Sequence, residues 1–194
     1  MKLIKQASSY LLLGAIVFAS CNNANENESK TLAEDRNEEK FSDNKNAERN
    51  AQFLVDVTAS NQEEIQLARL AQQKSRNNEV VEIAKTLEND HTAMGNEIKA
   101  IATAKSISLP SDDNQSYQDK LNKMNEKNEA DFNKDWVNEM IDMHKAKINK
   151  LESASDNENI DPEIRAVVNN ALPKVKMHLE MLQQCQDNLK NQKR

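Results

Sequence analysis

One feature constrains the fold of this chain more than any other: apolar residues recur at alternating spacings of four and three over segments of about 25 residues. The clearest segment runs from 79 to 105, and its apolar positions include Val80, Leu87 and Ile98. This spacing places the side chains on one face of an α-helix, and the regular alternation is typical of helices that pack in bundles. Only two glycines and three prolines occur in 194 residues. The pattern therefore predicts long helices with few connections.

The same periodicity predicts four long helices, over 47–74, 79–105, 129–154 and from Pro162 to near the C-terminus. Asp161 precedes Pro162 as a predicted N-cap, and Pro173 is expected to kink the last helix or split it in two. The segment 106–114 is the predicted crossover, and a short helix over 115–124 follows it. These helices predict an all-α, antiparallel four-helix bundle over 47–194, with a short extra helix in the crossover.

The N-terminus has the pattern of an export signal. Two lysines precede a short apolar run, and small residues follow it before Cys21. The apolar run is shorter than the roughly 20 residues that a spanning helix needs. Residues 1–20 are therefore predicted to be a signal peptide, and 18–21 resemble the bacterial lipoprotein cleavage box, in which the cysteine receives lipid. An ordinary secretory signal with an incidental cysteine is the alternative.

The segment 21–46 is rich in Asn, Glu and Lys, with Leu32 and Phe41 as its large apolar residues. Such a composition buries too little apolar surface to offset the entropy of ordering. The sequence therefore predicts a lipidated, disordered tether that holds the bundle away from a membrane.

Four ionisable residues occupy apolar positions, one on each long helix: Glu64, His91, His144 and His178. Counting from the turn between the first two helices places Glu64 and His91 at the same height. The height of His144 along the bundle matches theirs less closely. His178 is offset by roughly 9 Å on a straight helix, so it joins the others only if a kink or an overhang absorbs the difference. We call these four residues the polar layer.

The polar layer has two interpretations, which the sequence leaves open. Three imidazoles and a carboxylate would suit one transition-metal ion (Zn, Fe, Mn or Cu), with Asp90 and Asp142 orienting the rings. Alternatively, the layer is a buried hydrogen-bond network that fixes the helix register. A ferritin-type di-iron site requires Glu-x-x-His on two helices, and only Glu88 to His91 has that spacing, so di-iron oxidation is disfavoured.

An ordered set of short motifs resembles the bacterial domain-of-unknown-function family 4142. The matching motifs are Asn61-x-x-Glu64, Leu70-Ala71, Asp90-His91-Thr92, Leu109-Pro110, Met140-x-x-x-His144 and Leu172-Pro173-x-x-x-x-His178-Leu179. The resemblance implies a ferritin-like helical bundle that is exported or attached to the envelope. It places the family's polar positions on Glu64, Asp90, His91, His144 and His178, and it implies no established activity.

Composition and motifs narrow the functional classes. The formal charge of −6, without a dense Lys/Arg stripe, argues against a nucleic-acid partner. No nucleophile motif or Gly-rich loop indicates a hydrolase, so an enzyme is disfavoured. The first hypothesis is a lipid-anchored envelope protein, facing the periplasm or attached to the outer membrane, whose bundle binds a metal ion. The alternative is a non-catalytic module that docks another envelope protein or a second copy of the chain.

Overall fold

A computed structural model describes residues 28–111 and 117–191. These residues form six α-helices: α1 (Glu28–Phe41), α2 (Lys45–Lys74), α3 (Asn78–Lys105), α4 (Gln118–Asn125), α5 (Glu129–Asp156) and α6 (Pro162–Asn191). The predicted all-α helical bundle is confirmed. The predicted signal peptide and Cys21 lie outside the described residues. Within the described ranges, no helix is both long and apolar enough to cross a membrane.

The four long helices, α2, α3, α5 and α6, surround the core, and each runs antiparallel to its two neighbours. Helix α2 packs on α3, α3 on α6, α6 on α5, and α5 on α2. Trp136 Nε1, near the start of α5, donates to the carbonyl of Leu67 near the end of α2 at 2.9 Å. Lys105, at the end of α3, pairs with Asp161, just before α6, at 2.7 Å. The chain between α3 and α5 therefore spans the length of the bundle, as the single long crossover does in ferritin-like folds.

The described core consists of two apolar clusters with the polar layer between them. One cluster includes Leu67, Leu87 and Trp136, and the other includes Leu54 and Ile98. On each long helix, the polar-layer residue falls between the segment that enters one cluster and the segment that enters the other. The layer is thus sealed above and below by apolar side chains.

Local signals set the helix ends. Asn77 is the N-cap of α3, and its side chain accepts hydrogen bonds from two backbone amides. Asp161 Oδ1 accepts from the amide of Glu163 at 2.9 Å, which confirms this predicted cap. Helix α6 continues through Pro173, so of the two predicted effects, a kink or a split, the split does not occur.

The prediction of a disordered tether over 21–46 is wrong from residue 28 onward, because α1 occupies Glu28–Phe41 and α2 begins at Lys45. Helix α1 packs against α2 and buries Ala33 and Asn37. The Asn37 amide donates to the carbonyl of Ser108 and accepts from the Ser108 amide, both at 2.8 Å. Composition misled the prediction because polar contacts with the crossover, rather than a large apolar face, dock this helix.

Candidate metal centre

The bundle brings all four residues of the polar layer together. Glu64, His91 and His144 have no exposed surface, and His178 is 1% exposed. The centroids of the three imidazole rings are 5.4, 5.5 and 5.6 Å apart, an almost equilateral triangle. Glu64 Oε2 lies 3.4 Å from His91 Nδ1, and Glu64 Oε1 lies 3.8 Å from His144 Nδ1. The predicted convergence therefore occurs, including that of His178.

An overhang at the end of the bundle brings His178 level with the other rings. The guanidinium of Arg165, in the first turn of α6, donates to the carbonyls of Ser155 and Asn157 at the end of α5. The first residues of α6 therefore extend beyond the end of α5. His178 lies thirteen residues after Arg165, and His144 lies thirteen residues before Asn157, whose carbonyl Arg165 contacts. A sequence count that starts both helices at the loop places His178 too far along.

His91 is fixed by the buried amide of Asn61. Asn61 Nδ2 donates to the backbone carbonyl of His91 at 2.8 Å, so its Oδ1 is left to accept. His91 Nδ1 lies 2.8 Å from that oxygen. The hydrogen-bond pattern therefore assigns the ring proton to Nδ1 and leaves the lone pair on Nε2.

The other two rings are fixed by oxygen acceptors. His144 Nδ1 lies 2.8 Å from the backbone carbonyl of Met140. His178 Nε2 lies 2.9 Å from Asp90 Oδ2. Because a carbonyl or carboxylate oxygen only accepts, the proton is assigned to Nδ1 of His144 and to Nε2 of His178. The lone pairs are then on His144 Nε2 and His178 Nδ1.

The three nitrogens with lone pairs are buried, and none has a hydrogen-bond partner among the described residues. One nitrogen from each ring can be chosen so that all three lie within 4.8 Å of one another. Acceptors cannot satisfy one another, and an unsatisfied buried polar atom is costly. Each of the three lone pairs therefore needs a hydrogen-bond donor or a cation other than the described residues.

Glu64 forms a buried ion pair with Lys147, one turn after His144 on α5. Lys147 is 4% exposed. The pair lies on the Nδ1 side of His91 and His144, and Glu64 is not in the group of three converging ligand atoms. The carboxylate therefore lies beside two of the rings, and its ion-pair partner is Lys147.

Burial and charge keep the imidazoles neutral. Burial, followed by the positive charge of Lys147, holds the pKa of His91 well below its ordinary value. The same causes lower the pKa of His144 to about 3. Burial also lowers the pKa of His178, although the Asp90 carboxylate opposes this effect. Burial raises the pKa of Glu64, with Lys147 opposing. A neutral imidazole is the form that binds a metal ion.

Two of the orienting groups differ from those predicted. Asp90 orients His178, which is on another helix, and not its neighbour His91. Asp142 is exposed, and a backbone carbonyl fixes His144 instead, so the structure does not support the orienting role predicted for Asp142. This carbonyl comes from the preceding helical turn, which lies within reach of the ring.

Sequence reasoning did not assign Asn61 and Lys147 to the site, although a signal existed for each. Asn61 interrupts the apolar face of α2 three residues before Glu64, which is the spacing of helix neighbours. Lys147 stands three residues after His144 and four before the buried Leu151. A lysine at such a position is usually on the solvated side of the helix, so only the bundle geometry shows that it is buried.

The arrangement meets several requirements of a metal site. It offers three neutral imidazoles from three helices, and each is held by a hydrogen bond from its other nitrogen, as is usual for metal-binding histidines. Tetrahedral Zn–N bonds of about 2.1 Å would place two nitrogens about 3.4 Å apart. The rings, whose chosen nitrogens lie within 4.8 Å, would therefore move slightly inward on binding.

The fold and site define an all-α helical bundle with a buried cluster of histidines beside a Glu–Lys ion pair. The chain belongs to the family described as a domain of unknown function (DUF4142), whose model matches residues 35–185. The match begins within α1 and ends within α6, so it includes the whole site. No curated protein and no solved structure matches the chain.

Proposed function

We propose that this protein binds one transition-metal ion in its bundle core through His91, His144 and His178. The observation that carries the proposal is the set of three buried lone pairs, from three helices, that lack a donor among the described residues. A single water molecule has two hydrogens to donate, one too few for three acceptors. A metal cation accepts electron pairs from all three nitrogens.

The donor set selects the class of metal. Imidazole nitrogen suits zinc, copper and iron, whereas magnesium and calcium prefer oxygen ligands. Because the Glu64 carboxylate is engaged by Lys147, the three nitrogens form the inner ligand set. Zn²⁺ is therefore the first ion to test, with Co²⁺ as its spectroscopic substitute.

We further propose that the protein is a lipoprotein of the bacterial envelope, with lipid on Cys21. The support is the sequence of residues 1–21. Two or more acyl chains would anchor it stably, because each buried methylene contributes about 0.8 kcal/mol. A Cys21→Ser variant should lose incorporation of a labelled fatty acid and should leave the membrane fraction. Unchanged labelling would overturn this proposal.

The metal proposal is tested on the full chain, purified without an affinity tag from metal-supplemented culture. Elemental analysis should find one transition-metal ion per chain. Co²⁺ added to metal-free protein should produce the visible absorption bands of a site with nitrogen ligands. Neither measurement requires a variant, so a folding defect cannot obscure the result. Absence of stoichiometric metal and of these bands would overturn the proposal.

Variants then identify the ligands. His91→Gln and His144→Gln should each lower the affinity for Co²⁺ by at least tenfold, because each removes one of three ligands. Met140→Leu is the matched control, because Met140 is buried beside the layer but its side chain supplies no nitrogen. Equal losses in all three variants would indicate a packing effect instead of ligation.

A structural module is the second candidate, and the Glu64–Lys147 pair favours it. A buried ion pair can fix helix register without binding a ligand. Such a module would use its outer surface to dock an envelope protein or a second copy of the chain. Thermal unfolding separates the candidates: a metal site gains stability as Zn²⁺ is added and loses it with a chelator. If the layer only fixes the helix register, the thermal stability should change neither with Zn²⁺ nor with the chelator.

A further inference from the structure

A shallow cavity of about 30 Å³ lies directly over His178, between α3 and α6. This volume is enough for a water molecule. The lining includes Asp90, Met94 and Glu97 of α3 and Lys174, Val175 and His178 of α6. The cavity thus extends from the protein surface to one ring of the polar layer.

His178 differs from the other two histidines in the group that fixes it. Its partner, Asp90, has a side chain that is 29% exposed. The partners of His91 and His144 are Asn61, 2% exposed, and the backbone of Met140, 0% exposed. Releasing His178 breaks one hydrogen bond at the surface, whereas releasing either of the others breaks a bond in the dry core. His178 is therefore the ring that can move at least cost.

The charges around the cavity suit a cation. Asp90 Oδ2 holds His178 Nε2, and Asp90 Oδ1 lies 3.8 Å from Lys174 Nζ. Glu97 adds a second, exposed carboxylate. A divalent cation would meet two carboxylates here, opposed by one ammonium group. Local charge of one sign raises the rate at which ions of the opposite sign arrive.

We propose that this cavity is the entrance through which a divalent metal ion reaches the three histidines, with Asp90 and Glu97 attracting the ion and Lys174 opposing it. The inference rests on the proposed metal-binding function. His178 would turn aside as its hydrogen bond to Asp90 breaks, and it would close the site behind the ion.

The test measures association rates of Co²⁺ with the full chain by stopped-flow absorption. Lys174→Glu should accelerate association several-fold, and Glu97→Lys should slow it several-fold, because both residues are exposed at the cavity. Both effects should shrink as NaCl is added, since salt screens exposed charges. The equilibrium affinity should change less than the rates, because neither residue is a ligand.

Lys45→Glu and Glu48→Lys are matched controls with the same charge changes. They alter an ion pair in the first turn of α2, in which Lys45 is exposed and Glu48 is half-buried. Lys45 lies nineteen residues before Glu64, and Glu48 lies sixteen residues before it. At a rise of about 1.5 Å per residue, the distance of both positions from the polar layer is well beyond the Debye length of about 8 Å at physiological salt. Their rates should match the wild-type rate.

Failure of the proposed entrance and failure of the proposed metal-binding function would give different results. Normal equilibrium binding, with cavity and control variants giving the same rates, would overturn the entrance and leave the metal site intact. Absence of equilibrium binding in the wild-type protein would overturn the proposed function, and the entrance with it.

Discussion

The ammonium group of Lys147 lies against the carboxylate of Glu64 inside the bundle, and neither residue is more than 4% exposed. The two residues come from α5 and α2, which are separated by the whole of α3 and the crossover. Lys147 offsets the charge of the Glu64 carboxylate, and its own positive charge, together with burial, holds the pKa values of His91 and His144 low. This relationship sets both the stability and the protonation state of the layer.

Lys147→Met should lower the free energy of unfolding by about 3–5 kcal/mol, because removal of one partner leaves a buried charge without compensation. Urea denaturation of metal-free protein measures the loss. The double variant Lys147→Met/Glu64→Leu should recover most of it, since a well-packed apolar pair can replace a buried ion pair. If the double variant is as unstable as the sum of the two single variants, the pair is not coupled.

Acidification should destabilise the metal-free protein. The folded-state pKa values of His91, His144 and His178 lie below the ordinary histidine value of about 6.5, and that of His144 is about 3. Below about pH 6.5 the unfolded chain therefore binds protons that the folded protein does not, and stability falls as pH falls. Each such group contributes up to about 1.4 kcal/mol per pH unit. The raised pKa of Glu64 makes acidification stabilising, but this effect comes from one group, whereas the destabilising effect comes from three histidines.

Urea denaturation at about pH 7 and about pH 5 measures this loss within the window where histidine titrates in the unfolded chain. His144→Gln removes one of the three groups and should make the dependence shallower. A free energy of unfolding that is constant or rises on acidification would contradict the prediction.

Gly95→Ala should fail to give the usual benefit of alanine in a helix. A Cβ atom at Gly95 would lie 3.1 Å from Asn61 Nδ2, which is held by its bond to the His91 carbonyl. Alanine gains about 1 kcal/mol of helix propensity over glycine, and the crowding of Asn61 should cancel this gain. We also expect weaker Co²⁺ binding, because Asn61 fixes His91.

Thr92→Ala is the control for propensity alone, since Thr92 is exposed on the same helix. It should leave Co²⁺ binding unchanged. Stabilisation by about 1 kcal/mol in Gly95→Ala, together with normal Co²⁺ affinity, would show that Asn61 has room to move.

Asn37→Ala should loosen α1 from the bundle. The variant removes two hydrogen bonds to Ser108, and unsatisfied backbone groups there should cost about 1–3 kcal/mol. Limited proteolysis should then cleave within 28–41 faster than in the wild-type protein. Glu38→Ala, at an exposed position of the same helix, should cleave at the wild-type rate. Equal cleavage of all three proteins would refute this docking role.

The sequence alone determined the long helices, because the spacing of apolar residues repeats with the period of a helix face wherever that face is buried. It also placed Glu64, His91, His144 and His178 in the core, because each occupies a position of that face. The N-cap at Asp161 was predictable because its signal, an Asp directly before the Pro that begins the helix, is local in the sequence.

Only the tertiary structure decided which partners those residues meet. The height of His178 depends on how far α6 overhangs α5, which Arg165 fixes through contacts with the preceding loop. The pairing of Lys147 with Glu64, of Asn61 with His91 and of Asp90 with His178 joins helices far apart in the chain. The docking of α1 depends on the backbone of the crossover. Helix periodicity specifies the face on which a residue lies, whereas these contacts depend on the rotation and axial position of one helix against another.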